Sequence, residues 1–584
     1  MRGIGVISAV GLLAACIPAG DFACEQSMQC SRFAEGMCQA DGRCSYPDER
    51  CPSGQRYSDL AGPVASTCVP LPDAGDSEDS TGPPPNSCEG IDCDGRGTCV
   101  VVDEVATCAC EAGLYSVGVR CLDDPCESVM CRFVDADLGD DEADGSRQTP
   151  WRTIERLEQA LTNADPGDHF LLRRGQQWSS ALEVEGVMGG VDRPVVIGAY
   201  GPLDEPKPRL FPGSVGVGNG TEQLVIRDLW IEDDPTVVEP PNRPCVGIGQ
   251  SVHVVIVGNT VAGCVNRGIR VGNNATFTVI ADNTVKDLSQ RAGIFVADAP
   301  WADPPQTIGP HHWIIDNVVT GIPENGITVE AVDPSGDIKV VGNTIADVTR
   351  IGLAVEAAGW VWAVGNVIVR AGDDATDISG GLRMIADGPV TGNVLLHNRY
   401  GLEVRNTGEV LHNTIVHEGS APAVVVPGGA QGRVLTNNLV LVTGGSDRPW
   451  VQLPGSDPMD DVATMDLNWY ATEGEPCVLE ALDMALDLAG FVEATGFDAG
   501  SQCDPVPGFG AVPTGLDPSE WDGAFWQSLQ PDARWSRCSN PAGARDCNGE
   551  PLEGQLQPID GYFENDGLGW EGPLLVRQRY GPGA

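Results

Sequence analysis

Lysine is almost missing from this 584-residue chain. Only Lys207, Lys286 and Lys339 occur, and 35 basic residues face 83 acidic ones for a formal net charge of -48. A field of that sign repels phosphate backbones and anionic membrane surfaces, so nucleic acid is excluded as a partner. Aromatic residues are scarce at 6%. No apolar run is long enough for a transmembrane helix, the longest being the N-terminal stretch that ends at Cys16. Gly-rich phosphate loops, G-x-S-x-G and H-E-x-x-H are absent, and so is any paired C-x2-C or His spacing suited to zinc. The sequence therefore offers no cofactor and no metal site. What it has in quantity is turn chemistry: 74 Gly and 44 Pro without a collagen period, beside 41% hydrophobic residues. That mixture predicts turn-rich β structure.

The first residues, "MRGIGVISAVGLLAAC", place Arg2 before a short apolar run and read as an export signal. Leu13-Ala14-Ala15-Cys16 resembles the lipobox of bacterial lipoproteins. The resemblance implies cleavage after residue 15, acylation of Cys16 and a membrane contact made by lipid alone. Ile17 at the second mature position implies sorting to the outer membrane, on its cell-surface or periplasmic face. An acylated Cys16 leaves 20 of the 21 cysteines, an even set suited to disulfides in an oxidising compartment.

Residues 16–70 have few apolar side chains for a core, so cysteines must staple them. Residues 71–87 read as a flexible acidic, Pro-containing linker. Residues 88–121, "CEGIDCDGRGTCVVVDEVATCACEAGLYSVGVRC", resemble an EGF-like module. That resemblance implies pairs Cys88 to Cys99, Cys93 to Cys108 and Cys110 to Cys121, and a spacer or protein-binding stalk. A connector covers 122–132. Asp137, Asp140, Asp141 and Asp144 follow, without the spacing or distal Glu of an EF-hand, and read as a solvated acidic turn. A helix starting near Pro150, apolar at Ile154, Leu157 and Leu161, and a strand at "HFLL" come next.

From there a unit recurs. An apolar strand, an Asn, a hydrophobic dyad, a loop and Gly-Ile-x-Val appear at "VVIVGNTVAGCVNRGIRVG" and repeatedly afterwards. The Asn positions are Asn259, Asn283, Asn317, Asn343, Asn366, Asn393, Asn413 and Asn437, spaced 20 to 34 residues apart. Gly268, Gly293, Gly326, Gly352, Gly381 and Gly401 keep step, and Asp228 in "LVIRDLWI" occupies the Asn place of an earlier unit. Asn tolerates left-handed backbone at a sharp corner, and no single unit can bury its own inward face. The predicted fold is all-β: a right-handed parallel β-helix, a three-sided solenoid over 133–470, preceded by small disulfide-rich modules and closed by a Cys-containing cap over 471–584. The repeat resembles those of pectin-lyase-like β-helix proteins. The tail at Ala544 to Trp570 resembles the D-x-x-G-x-P...P-x-x-G-x-x-E ending of many such proteins.

In that resemblance, functional groups lie outward on the Gly-Ile-x-Val strand. Aligning the units puts Glu330 and Glu356 at one outward place on adjacent coils, with Arg383 beside them as the third catalytic candidate. Arg270, Glu403 and Arg405 share the face as candidate ligand-binding residues. Trp301 and Trp313, near His311 and His312 in the longest insertion, are candidates for stacking on sugar rings. Lys286 with Arg291 is an alternative base and charge neutraliser for β-elimination. The calcium-binding Asp clusters of pectate lyases and the D-P-H motif of alginate epimerases are missing. Two readings follow: an anchored solenoid binding a polysaccharide or an extracellular protein through a long groove, or a polysaccharide lyase or glycoside hydrolase on the same scaffold.

Overall fold

A computed structural model describes residues 130–504 except 191–192, 235–242, 298–307, 331–336, 373–378, 406–407, 418–420, 428–432, 437, 443–448, 454–461, 467, 473–476 and 483, together with short pieces between 37 and 126. Cys16, the linker 71–87, Trp301, the tail after 504 with Cys538 and Cys547, and the side chain of Cys110 lie outside the described residues. Two units are distinguished: Met1–Gly90 with Val101–Ala106, and Ile91–Val100 with Thr107–Ala584. In the first, Met37–Cys38, Cys44–Pro47 and Gln55–Tyr57 form a three-stranded antiparallel sheet. The second opens with the Cys93 to Cys108 disulfide and a hairpin of Tyr115–Val117 with Arg120–Leu122. Cys88, Cys99 and Cys121 are also disulfide-bonded.

The solenoid is entered through strand Cys131–Val134 and helix Ile154–Leu161. Thr153 caps the helix by accepting from the Arg156 N–H at 3.1 Å, and Ile154, Leu157 and Leu161 close the end of the core. The acidic turn is spent on its own backbone. Asp141 accepts from the Arg152 and Thr153 N–H groups, and Asp144 from Ser146 N–H and the Thr149 hydroxyl. Those hydrogen bonds hold the Asp144 carboxyl down at about 2.

Each coil then contributes three parallel strands. One lies before the corner, one after it, and one is led by glycine. The post-corner strands form a 13-stranded stack from Gln177–Trp178 to Gln502–Asp504. The pre-corner and glycine-led strands form the other stacks and merge into one 25-stranded sheet, because in Ile351–Val364 both run as a single 14-residue strand. Stacking continues past 470, where the sequence period fades: Leu479–Ala481 pairs with Val451–Leu453 and Gln502–Asp504 with Trp469–Thr472. Inward residues such as Ile226, Ile256, Ile280, Ile314 and Val340 sit in register one above another and are buried. Each contributes about 1.5 to 3 kcal/mol.

The corner works differently from the sequence expectation. The left-handed residue precedes the asparagine: Gly258, Asp282, Asp316, Gly342, Gly365, Gly392 and His412 have φ between 52 and 68°. The asparagine itself turns inward and is buried. Its Nδ2 donates to the Oδ1 of the next coil's asparagine at 2.9 to 3.1 Å through Asn259, Asn283, Asn317, Asn343, Asn366, Asn393, Asn413, Asn438 and Asn468. Two sequence assignments are thereby corrected. The ladder runs through Asn438, one residue beyond Asn437, because the corner residue must immediately precede the strand Leu439–Val442. Likewise Asp228 holds the left-handed place with φ 60°. Leu229 occupies the asparagine position and donates its N–H to Asn259 Oδ1 at 3.0 Å.

The leading glycines are steric. A Cβ on Gly326 would lie 2.4 Å from Ile345 Cγ2 and 2.7 Å from the Gly352 carbonyl, and Gly268, Gly293, Gly352 and Gly401 are equally crowded. At the C-terminal end Asn468 Nδ2 donates to Asp498 Oδ1 at 2.9 Å, and the Tyr470 hydroxyl to Oδ2 at 2.7 Å. The helix Leu488–Thr495 and the Cys477 to Cys503 disulfide complete this end of the described chain.

Candidate functional site

Period-two alternation on the glycine-led strands sends one residue in and the next out. Register therefore defines one unbroken outward column: Glu183, Gly216, Gly247, Arg270, Phe295, Thr328, Ala354, Arg383, Glu403, Val425, Gln452 and Glu480. Two places along this face differ from a plain polar surface.

The first is a trench of about 340 Å³ near the N-terminal end. "VGVG" and "VGIG" put Gly216, Gly218, Gly247 and Gly249 at or beside it, so two successive strands have no outward side chains and the surface dents. Glu183 and Glu185 stand on the coil before the glycines, and Arg270 with Asn273 on the coil after. Asn219, Gln250 and Asn273, with φ of 46, 49 and 52°, line the strand ends on consecutive coils. Arg243 reaches Glu183 at 2.7 Å, Asn219 Nδ2 donates to Glu185 at 2.6 Å, and Arg270 donates to Asn273 Oδ1 at 3.3 Å. Burial lowers the Arg270 pKa. Among these residues the sequence singled out Arg270 alone. The recurring Gly-x-Gly was the available signal for the rest.

The second place is the charged ladder. Val329 pairs with Val355, so Glu330 and Glu356 occupy successive rungs, each one residue beyond its valine. Burial, then the Glu356 charge, raise the Glu330 carboxyl above its ordinary value, against the opposing pull of Arg267. Arg383 Nη1 lies 3.1 Å from Glu356 and its Nε 3.4 Å from Glu403, which in turn receives Arg405 Nε at 2.6 Å. Glu330, Glu356, Arg383, Glu403 and Arg405 are thus gathered, with Glu330 outside the chain of ion pairs. A carboxyl whose pKa is raised beside one held by a guanidinium is an arrangement able to split acid and base roles.

Other sequence candidates lie elsewhere. Trp313 is corrected: it is 1% exposed on the pre-corner strand His312–Ile315. Its outward position is buried in a second apolar layer with Val225, Val255 and Val279, so it cannot meet a sugar. His311 stacks on Phe277 at 4.7 Å, and His312 Nε2 lies 2.8 Å from the Gly309 carbonyl. Lys286 belongs to the post-corner stack, 6.0 Å from the Trp230 ring, and is on a different stack from Glu330. Among the described residues the one cluster of metal-type ligands is Cys93, Cys108 and Cys121, whose sulfurs are in disulfides.

No family model matches the chain. It is 33% identical over 85 residues to a lacto-N-biosidase of Bifidobacterium longum subsp. longum, a match that spans 14% of this chain and 5% of that protein. Among solved structures it superposes on XylC in complex with xylose at TM-score 0.46 and 11% identity, over 64% of this chain and 86% of that one. A PL6 alginate lyase, AlyGC, superposes at 0.40 and 12%, over 63% and 57%. The GH136 lacto-N-biosidase of Eubacterium ramulus superposes at 0.31 and 15%, over 60% and 67%.

Proposed function

We propose that this chain is an exported lipoprotein, anchored through Cys16 to the outer membrane, that binds a polysaccharide along its glycine-led face. The observation behind this reading is the unbroken outward column from Glu183 to Glu480, punctuated by a trench and a charged ladder. Rungs about 4.8 Å apart make such a face long enough for many monomer units. The 85-residue likeness to a lacto-N-biosidase favours carbohydrate over a partner protein. The test is affinity electrophoresis of the mature chain in gels containing a panel of polysaccharides. Retardation by at least one is expected, and migration unchanged in every gel refutes the reading. Labelled fatty acid should enter the wild-type chain and not Cys16→Ala.

Glycoside hydrolysis on the same face is a second reading, favoured by the raised carboxyl of Glu330 beside Glu356. Glu330 in its protonated form donates to the leaving glycosidic oxygen while the Glu356 carboxylate, steadied by Arg383, faces the developing positive charge of the sugar; water then adds to the anomeric carbon and its released proton returns to Glu330. New reducing ends that disappear in Glu330→Gln with binding intact establish this reading, and retention without cleavage removes it.

A further inference from the structure

We infer that the glycine-floored trench is a subsite for uncharged sugar rings, and that the face it belongs to selects neutral glycans over uronic ones. This rests on the reading of the face as carbohydrate-binding. The cavity of about 340 Å³ is at the small end of ligand pockets, which run from roughly 300 to 1,000 Å³. Part of its floor is bare backbone, which lets a ring lie close there. At Gly247 a Cβ would have one neighbour, Pro244 Cγ at 3.2 Å, and at Gly218 one, the Gly249 carbonyl at 3.4 Å, so the floor is open there, whereas the Glu183 carboxylate overlies Gly216 and Asn273 packs against Gly249.

The walls determine the ligand's charge. Two carboxylates, Glu183 and Glu185, and one guanidinium, Arg270, line the same small cavity, and Arg243 from outside reaches Glu183. An anionic ring drawn to Arg270 is repelled by Glu183 and Glu185 and by the net charge of -48. A neutral ring meets no such conflict. Its hydroxyls donate to Glu183 and Glu185 and accept from Arg270 and from the amides of Asn219, Gln250 and Asn273, and each hydroxyl can do either. Gly247 and Ala354, the residue that shares its strand with Glu356, are four rungs apart, about 19 Å by strand spacing. The trench therefore engages a part of the polymer remote from the charged ladder.

The experiment is titration calorimetry of the mature chain against hexamers of neutral sugars (cello-, xylo-, galacto- and N-acetylglucosamine series) and hexamers of galacturonate and mannuronate. Gly247→Phe and Gly218→Phe, each at an outward position with φ outside the left-handed region, fill the trench from its floor, and thermal melts check that both remain folded. At least one neutral series should bind, and both variants should raise its Kd about tenfold or more, while Val318→Thr, an exposed change on the post-corner stack, leaves it unchanged. Neutral binding that both plugged variants leave unchanged overturns the subsite, and preferential binding of the uronate hexamers overturns the selectivity; either result leaves the broader carbohydrate reading standing. Failure of every hexamer to bind, with no polysaccharide retarding the chain, removes both.

Discussion

Asn259 gives both its backbone N–H and its side-chain Nδ2 to one atom, Oδ1 of Asn283, at 2.9 and 3.1 Å. The same double donation repeats up the ladder, so each asparagine satisfies the buried polar groups of the coil below while its own are satisfied by the coil above and by a carbonyl.

Removing one rung should therefore cost more than one hydrogen bond. Asn317→Ala takes away the acceptor of both Asn283 donors in a fully buried place. We expect a loss of roughly 2 to 4 kcal/mol in urea unfolding. A loss under about 0.5 kcal/mol would contradict the ladder's structural role.

Gly326→Ala should destabilise for a different reason. Its Cβ would lie 2.4 Å from Ile345 Cγ2 and 2.7 Å from the Gly352 carbonyl, so two coils must part. A cost of about 1 to 3 kcal/mol is expected, measured as a lowered Tm. Gly247→Ala, on an outward position of an equivalent strand, should be near neutral in the same melt.

Asp498 should give acid-side pH dependence. Burial raises its pKa above 3.8 despite hydrogen bonds from Ser501, Asn468 and Tyr470. The folded state then binds the proton more tightly than the unfolded one. Its contribution is greatest below pH 3.8, declines as pH rises through the folded pKa and is constant above it. Asp498→Asn should flatten that part of the stability curve, as read by denaturant midpoints from pH 3 to 8.

If the chain hydrolyses glycosides, Glu330 sets the alkaline limb of its pH profile. Because its carboxyl is raised, activity should fall as pH climbs through a pKa above 4.5. Glu356→Gln removes the charge that helps raise it, so any residual activity should lose that limb at lower pH than in the wild type. An unshifted limb would assign it to another group.

The strand phase was legible because Asn and Gly recur at fixed places within each coil. The left-handed corner was not, since Gly, Asp and His share that position and leave no single-letter period. Asn437 and Asn438 are adjacent, and only the start of Leu439–Val442 distinguishes them. Trp313 misled because it was read as part of the longest insertion, whereas it belongs to the strand His312–Ile315, whose outward face a second apolar layer buries. The charged ladder followed from aligning Val329 with Val355. The trench was hidden because its glycines precede the stretch where the repeat is regular.

The amide ladder also has a direction. Every rung offers the same two donors toward the C-terminal end and the same acceptor toward the N-terminal end, and at Asn468 the side-chain donor ends on the Asp498 carboxylate and the backbone donor on the Ser501 hydroxyl. Whole coils are therefore interchangeable: duplication or deletion of one between Asn259 and Asn468 joins like to like, whereas a partial coil leaves donors facing nothing. Length variation among descendants of this gene should come in complete turns, with Asp498 retained as the terminus.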